Sequence, residues 1–196
     1  MSDKKLILAS GSPRRRELLA QLGYQFDVLV PNVEEAQQAD ESARQYVARL
    51  SRDKALAGLA LAAASNHTVA SHDMVVIGSD TIVVQDGLVL EKPHDFADSR
   101  RMLLHLQANR HQVMTAVTVA TAQQHRSVVV TTDVWFKALT EQEIEQYWQS
   151  GEPCDKAGSY GIQGLGGRFV TRLEGSYYAV VGLPLYETDQ LLREFL

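Results

Sequence analysis

One cysteine, Cys154, is all the chain has. A lone thiol closes no intramolecular disulfide, and no zinc-type Cys/His spacing surrounds it, so neither a disulfide framework nor a structural zinc site is expected to hold this fold. A reducing, cytoplasmic setting fits best. Long hydrophobic runs are also missing. Ala55 to Ala64 is the longest apolar stretch, well short of the roughly 20 residues a membrane-spanning helix needs. Leu6 to Ala9 is too short for the apolar core of a signal peptide. We therefore expect no membrane element. Positive charge is in deficit: 19 Lys and Arg stand against 24 Asp and Glu, a net charge of -5, so the broad basic footprint of a duplex nucleic-acid binder is not expected. Several catalytic signatures are absent too. There is no Walker loop, no G-x-S-x-G elbow, no H-E-x-x-H and no repeat of solenoid length.

What is present is the composition of a folded protein, 45% hydrophobic and 22% charged over 196 residues, enough for one sizeable core or two small lobes. Leu6 to Ala9 reads as a buried strand. Ser12 as N-cap and Pro13 at the first helical position start a helix that Gly23 stops. Phe26 to Val30 reads as a strand closed by Pro31, and Ser42 opens a long helix to about Ala64. Ser65 to Asp73 is a polar loop. Met74 to Ile77 is an apolar strand ending at Gly78-Ser79-Asp80, followed by a hairpin of Thr81 to Val84 with Leu88 to Leu90. Asp95 or Asp98 caps a helix to about Leu106, and Val113 to Thr121 with Val128 to Lys137 makes a second hairpin. Thr140 and Glu143 form a capping box. A last hairpin is expected from Phe169 to Leu173 and Tyr177 to Val181, before a closing helix from Leu185. Interleaved helices and hairpins predict an α/β fold, a mixed twisted sheet flanked by helices, as one domain of two lobes with a central cleft.

Candidate chemistry falls at strand ends and loops. Ser10-Gly11-Ser12-Pro13-Arg14-Arg15-Arg16 puts three cations at a helix start, where the macrodipole is already positive. It reads as a phosphate-binding turn or as a solvated basic face, and standing alone the latter is favoured. Asp80 ends an apolar strand and needs a cation, a metal or a cleft. Glu34 and Glu35 follow another strand, Lys54 projects from the long helix, and Lys92 lies in a Glu-Lys-Pro turn. Carboxylates suit a hard divalent ion bridging phosphates, and lysine and arginine suit the remaining phosphate charge. Together they read as a polyphosphate site; separately they read as surface charges. Asp155 to Gly164 is a glycine-rich segment that reads equally as a structural turn supporting the last hairpin or as a ligand loop in which Gln163 could read a base edge. His67, His72, His105, His111 and His125 read as loop or helix-surface residues, and His94, after Pro93, as peripheral to the candidate site.

Five ordered motifs carry a resemblance. Ser10-Gly-Ser-Pro-Arg-Arg-Arg-Glu-Leu-Leu19, Gly78-Ser-Asp-Thr-Ile-Val83, Glu91-Lys92-Pro93, Asp155-Lys-Ala-Gly-Ser-Tyr-Gly-Ile-Gln-Gly164 and Tyr178-Ala-Val-Val-Gly-Leu-Pro184 resemble, almost end to end, the Maf family of nucleoside triphosphate pyrophosphatases. The likeness is greatest to the branch that hydrolyses dTTP and UTP to the monophosphate and pyrophosphate, a role tied to keeping modified nucleotides out of nucleic acid. A 7-methyl-GTP branch shares the scaffold, and a non-catalytic nucleotide-binding regulator of cell division is the alternative of another class.

The resemblance implies an inosine triphosphate pyrophosphatase-like fold over residues 1–196. It makes Asp80 the proton acceptor, Glu35 and Asp80 the ligands of Mg²⁺ or Mn²⁺, and Ser10, Arg15, Lys54 and Lys92 substrate residues. Arg14, Thr81 and Gln163 fall at its base-selecting positions. Arg16 is at a variable position and expected to face solvent. Ser79 and Ser159 depart from the family's usual alanines, each by a hydroxyl. A cytoplasmic homodimer without stable nucleic-acid binding completes the expectation.

Overall fold

A computed structural model describes residues 4–65 and 73–196. Most of the predicted polar loop from Ser65 to Asp73 lies outside the described residues. Strand β1 (Lys5–Ala9) leads through Ser12 into helix α1 (Pro13–Gln21), where the Ser12 hydroxyl accepts the amide of Arg15 at 3.4 Å. Gly23, at φ 84°, ends this unit in a conformation that favours glycine. Strand β2 (Asp27–Leu29) follows, then α2 (Ala43–Ala64), which starts with a full capping box between Ser42 and Gln45.

Strand β3 (Met74–Gln85) is longer than the sequence suggested. Asp80 was expected at a strand end, yet the strand continues through it, because Val83 to Gln85 pair with β4 (Leu88–Leu90) in an antiparallel hairpin. Asp86 at φ 51° and Gly87 at φ 77° turn that hairpin. Next come α3 (Phe96–Leu106), capped by Asp95, then β5 (Arg110–Ala120), β6 (His125–Phe136) and α4 (Glu141–Gln149) with its Thr140 capping box. Short 3-10 turns cover Glu152–Asp155, Ala157–Ser159 and Leu165–Phe169. They lead to β7 (Val170–Glu174), helix α5 (Tyr177–Val181) and helix α6 (Leu185–Phe195).

The expected last hairpin is half wrong. β7 pairs with β6, while Tyr177–Val181 is helical despite its β-favouring tyrosines and valines. Gly175 at φ 132° breaks the strand, and the Ser176 hydroxyl accepts the Ala179 amide at 3.0 Å, capping a helical turn. Local capping overrides residue propensity here.

Among the described residues the sheet has seven strands in the order β2-β1-β3-β5-β6-β7, with β4 on β3. β1 runs parallel to both β2 and β3. This is the mixed, helix-flanked sheet that the pattern predicted. The chain divides into two compact units, Met1–Asp80 with Thr115–Val129 and Gly182–Leu196, and Thr81–Met114 with Val130–Val181. The first has a core of Ile7, Ala9, Ala62, Met74 and Val76. In the second, Val83, Leu90, Met102, Leu103 and Leu106 pack with Phe136, Tyr147, Tyr160 and Phe169.

Within the first unit, α2 lies unusually close to the sheet. A Cβ at Gly78 would stand 2.2 Å from the Ser51 carbonyl oxygen and 2.4 Å from the Ala55 amide nitrogen. No side chain fits in that gap, so glycine at 78 sets the helix–strand spacing. This contact puts Lys54 beside the strand position occupied by Asp80.

Candidate functional site

Lys54 joins two carboxylates. Its ammonium nitrogen lies 2.7 Å from Asp80 Oδ1 and 2.7 Å from Glu35 Oε1. Asp80 is 7% exposed, and Glu35 sits in the irregular segment after β2 with its side chain 40% exposed. Burial raises the Asp80 carboxyl above the ordinary carboxylate range, against the opposing pull of Lys54 and then of Arg15. Charges this close in a dry setting interact strongly, so the group is stable only as an ensemble of opposite signs.

Arg15 completes the ensemble from α1. Its pKa is drawn down by burial, while Asp80 and Glu35 raise it and Arg14 lowers it further. The Arg15 Nε donates to the Gly182 carbonyl at 2.8 Å, and the Ser79 hydroxyl donates to the same oxygen at 3.2 Å. The Ser79 hydroxyl thus helps hold the carbonyl that orients Arg15. Neither Gly182 nor Gly78 was assigned a function in the sequence, although both lie inside motifs. Their contribution is a backbone atom or an absent side chain, which residue chemistry alone does not reveal.

Ser10, 8% exposed at the end of β1, accepts the Ser12 amide at 3.1 Å. With Gly11, Ser12, Pro13 and Arg16 it lines a cavity of about 490 Å³ whose apolar side is Val28 and Val30. Arg16, expected merely to face solvent, is exposed yet forms part of this wall. The loop bearing Glu35 is pinned by Arg49, which bonds Glu41 at 2.7 and 3.0 Å and the Ala36 carbonyl at 2.8 Å. In sequence Arg49 looks like any helix-surface charge, and only its partners mark it out.

The structure brings Ser10, Arg14, Arg15, Glu35, Lys54 and Asp80 into one compact unit. Glu34 is exposed and makes no ion pair among those of the described residues, so of the acidic pair only Glu35 meets a cation. Thr81, Lys92 and Gln163 belong to the second unit: Thr81 directly follows Asp80 along β3, Lys92 is exposed after β4, and Gln163 is exposed in the glycine-rich loop. His111 is not a surface residue. It is 2% exposed on β5, with Nε2 2.7 Å from the Tyr160 hydroxyl.

Two carboxylates converging on one small cation can also hold a hard divalent ion, since both donors are oxygen. No group of three or more His, Cys, Asp or Glu with a metal-holding arrangement occurs among the described residues. Two protein ligands suit an ion that fills its remaining positions with water and phosphate oxygens. Around that point Arg15 and Lys54 supply positive charge, and Asp80 supplies a carboxylate whose raised pKa suits proton acceptance.

The chain is similar to known proteins over almost its whole length. A family model described as Maf-like protein matches residues 5–195. A dTTP/UTP pyrophosphatase of Vibrio cholerae is 72% identical, with 100% of each chain covered. One from Photobacterium profundum is 63% identical over 100% of this chain and 99% of its own, and one from Salmonella typhimurium is 56% identical over 97% and 92%. The solved structure of the Staphylococcus aureus Ham1 protein is 13% identical with a TM-score of 0.40, covering 68% of this chain and 72% of that one. No helix among the described residues is long and apolar enough to cross a membrane.

Proposed function

Because the chain belongs to the Maf-like protein family, we propose that it is a nucleoside triphosphate pyrophosphatase that hydrolyses dTTP and UTP to the monophosphate and pyrophosphate. The names of relatives at 56 to 72% identity support the substrates. The observation that carries the chemistry is Lys54 held between Asp80 and Glu35, with Arg15 beside them.

Asp80 accepts the proton of the water that attacks the α-phosphorus. Its low exposure keeps competing water away, and Lys54 fixes its orientation through one oxygen. Arg15, oriented by the Gly182 carbonyl, balances charge that develops on the phosphates, together with Lys54 and Lys92. Ser10 offers a hydroxyl at the mouth of the β1–α1 turn. Arg14, Thr81 and Gln163 select the base. Glu35 and Asp80 hold Mg²⁺ or Mn²⁺, which when bound supplies Lewis-acid neutralisation of phosphate oxygens. We also take the protein to be cytoplasmic and homodimeric, with no stable hold on nucleic acid; the single cysteine and the net charge of -5 support the first and last of these.

Pyrophosphate release across canonical and modified triphosphates, with Mg²⁺ or Mn²⁺ and without, tests the reading. We expect turnover of dTTP and UTP above all others in the presence of metal. A preference for 7-methyl-GTP, or dTTP binding without product at high enzyme concentration, refutes it.

A further inference from the structure

The glycine-rich loop that carries Gln163 hangs from a single carboxylate. Glu152 Oε2 accepts the Leu165 amide at 2.8 Å, and Oε1 accepts the Gly166 amide at 3.1 Å and the Tyr147 hydroxyl at 2.7 Å. That hydroxyl in turn accepts the Gly161 amide at 3.1 Å. Residues on both sides of Gln163 are therefore tied to one Tyr147–Glu152 pair. Tyr147 is fully buried, with its ring edge-on to Phe169 at 5.0 Å, so one end of the support stands on the core of the second unit.

The glycines fit this arrangement closely. A Cβ at Gly164 would lie 2.2 Å from Glu152 Oε2, and one at Gly166 would lie 2.6 Å from the Tyr147 hydroxyl. Any side chain at either position displaces the carboxylate or the phenol. The three hydrogen bonds donated to Glu152 hold its pKa below the usual carboxylate value against the opposing effect of burial. They keep it an ionised acceptor, and charge-assisted bonds of this kind are stronger than neutral ones. Gln163 itself is exposed at the apex, free to face a ligand while the backbone on either side is held.

We propose that Glu152, braced by Tyr147, is a positioning residue for base discrimination, fixing the backbone from Gly161 to Gly166 so that the Gln163 amide meets a pyrimidine edge in one orientation. An amide distinguishes donor from acceptor only when its own position is set, because the same group rotated by half a turn reads the opposite pattern. Thymine and uracil differ from cytosine by this exchange of donor and acceptor. The proposal rests on the reading of Gln163 as a base-selecting residue.

The test is the ratio of kcat/KM for dTTP over dCTP in the wild type, Glu152→Gln, Tyr147→Phe and Gln163→Ala, with melting temperature measured alongside. Glu152→Gln keeps the volume but turns one acceptor oxygen into a donor facing a backbone amide or the phenol. We expect it to lower the ratio about tenfold, chiefly through KM for dTTP. Tyr147→Phe should act in the same direction and more weakly, and the Glu152→Gln/Gln163→Ala double variant should fall no lower than Gln163→Ala alone. A ratio at the wild-type value in both Glu152→Gln and Tyr147→Phe overturns the proposal, whatever happens to stability. An unchanged ratio in Gln163→Ala refutes the base-reading role of that side chain instead. Should the wild type turn over neither nucleotide, the function fails; the clamp is then judged by the same ratio taken from dissociation constants.

Discussion

Two polar centres in this protein, one around the buried Asp80 and one around the buried His111, are built in opposite ways. Asp80, Lys54, Glu35 and Arg15 in the first unit gather four ionisable groups of alternating sign. His111 in the second unit has only the Tyr160 hydroxyl, with the Phe136 ring edge-on at 5.0 Å and the Tyr160 ring at 5.4 Å. Burial depresses the His111 pKa to about 4, so the imidazole is neutral near pH 7. The first centre keeps charge in a setting that opposes it, and the second sheds charge to suit its setting. Retained charge costs stability and is expected where chemistry needs it. Neutralised polarity belongs to packing.

Removing a member of each centre should separate these roles. Lys54→Met takes the shared cation from two carboxylates at once, and turnover of dTTP should fall on the order of 10² to 10³-fold, as for loss of a preorganised charge elsewhere. Steady-state pyrophosphate release measures it, and a loss under threefold would make Lys54 a structural residue. A smaller effect, on stability alone, is expected at His111. Its folded pKa is depressed from 6.5 to about 4, so the unfolded chain binds the proton first. Its contribution is then complete above pH 6.5 and is lost as pH falls towards 4, about 3 kcal/mol in all. Denaturant titrations should therefore show the stability gap between wild type and His111→Gln narrowing by about that amount over this window, with dTTP turnover near pH 7 unchanged. A constant gap would show that His111 does not titrate as its burial implies.

Much of the fold was legible because its signals are local. Ser12 and Pro13 start α1, Ser42 starts α2 and Thr140 with Glu143 starts α4, each by bonds spanning a few residues. Tyr177–Val181 has visible strand propensity, but the Ser176 cap and its contact with Thr132, 44 residues away, decide for a helix. Asp80 stood out as a charge inside an apolar run, yet its partner Lys54 lies 26 residues away in sequence, and Arg15 finds its carbonyl 167 residues on. No spacing rule reaches that far. His111 escaped because it stands two residues before the expected strand start at Val113 and so read as a loop residue, whereas β5 begins at Arg110 and carries it into the core. Glu152 escaped because a carboxylate that serves backbone amides leaves no pattern in side-chain chemistry.

The claim that the charged centre exists for hydrolysis meets its most direct test in Asp80→Asn. Asn keeps the volume of the side chain and an oxygen that can accept from Lys54, and melting temperature measured alongside at neutral pH separates a lost proton acceptor from a lost fold. Pyrophosphate release from dTTP with saturating Mg²⁺ should drop by roughly 10² to 10⁴-fold, the range for loss of a general base. Near-normal release from a well-folded Asp80→Asn protein would contradict the account.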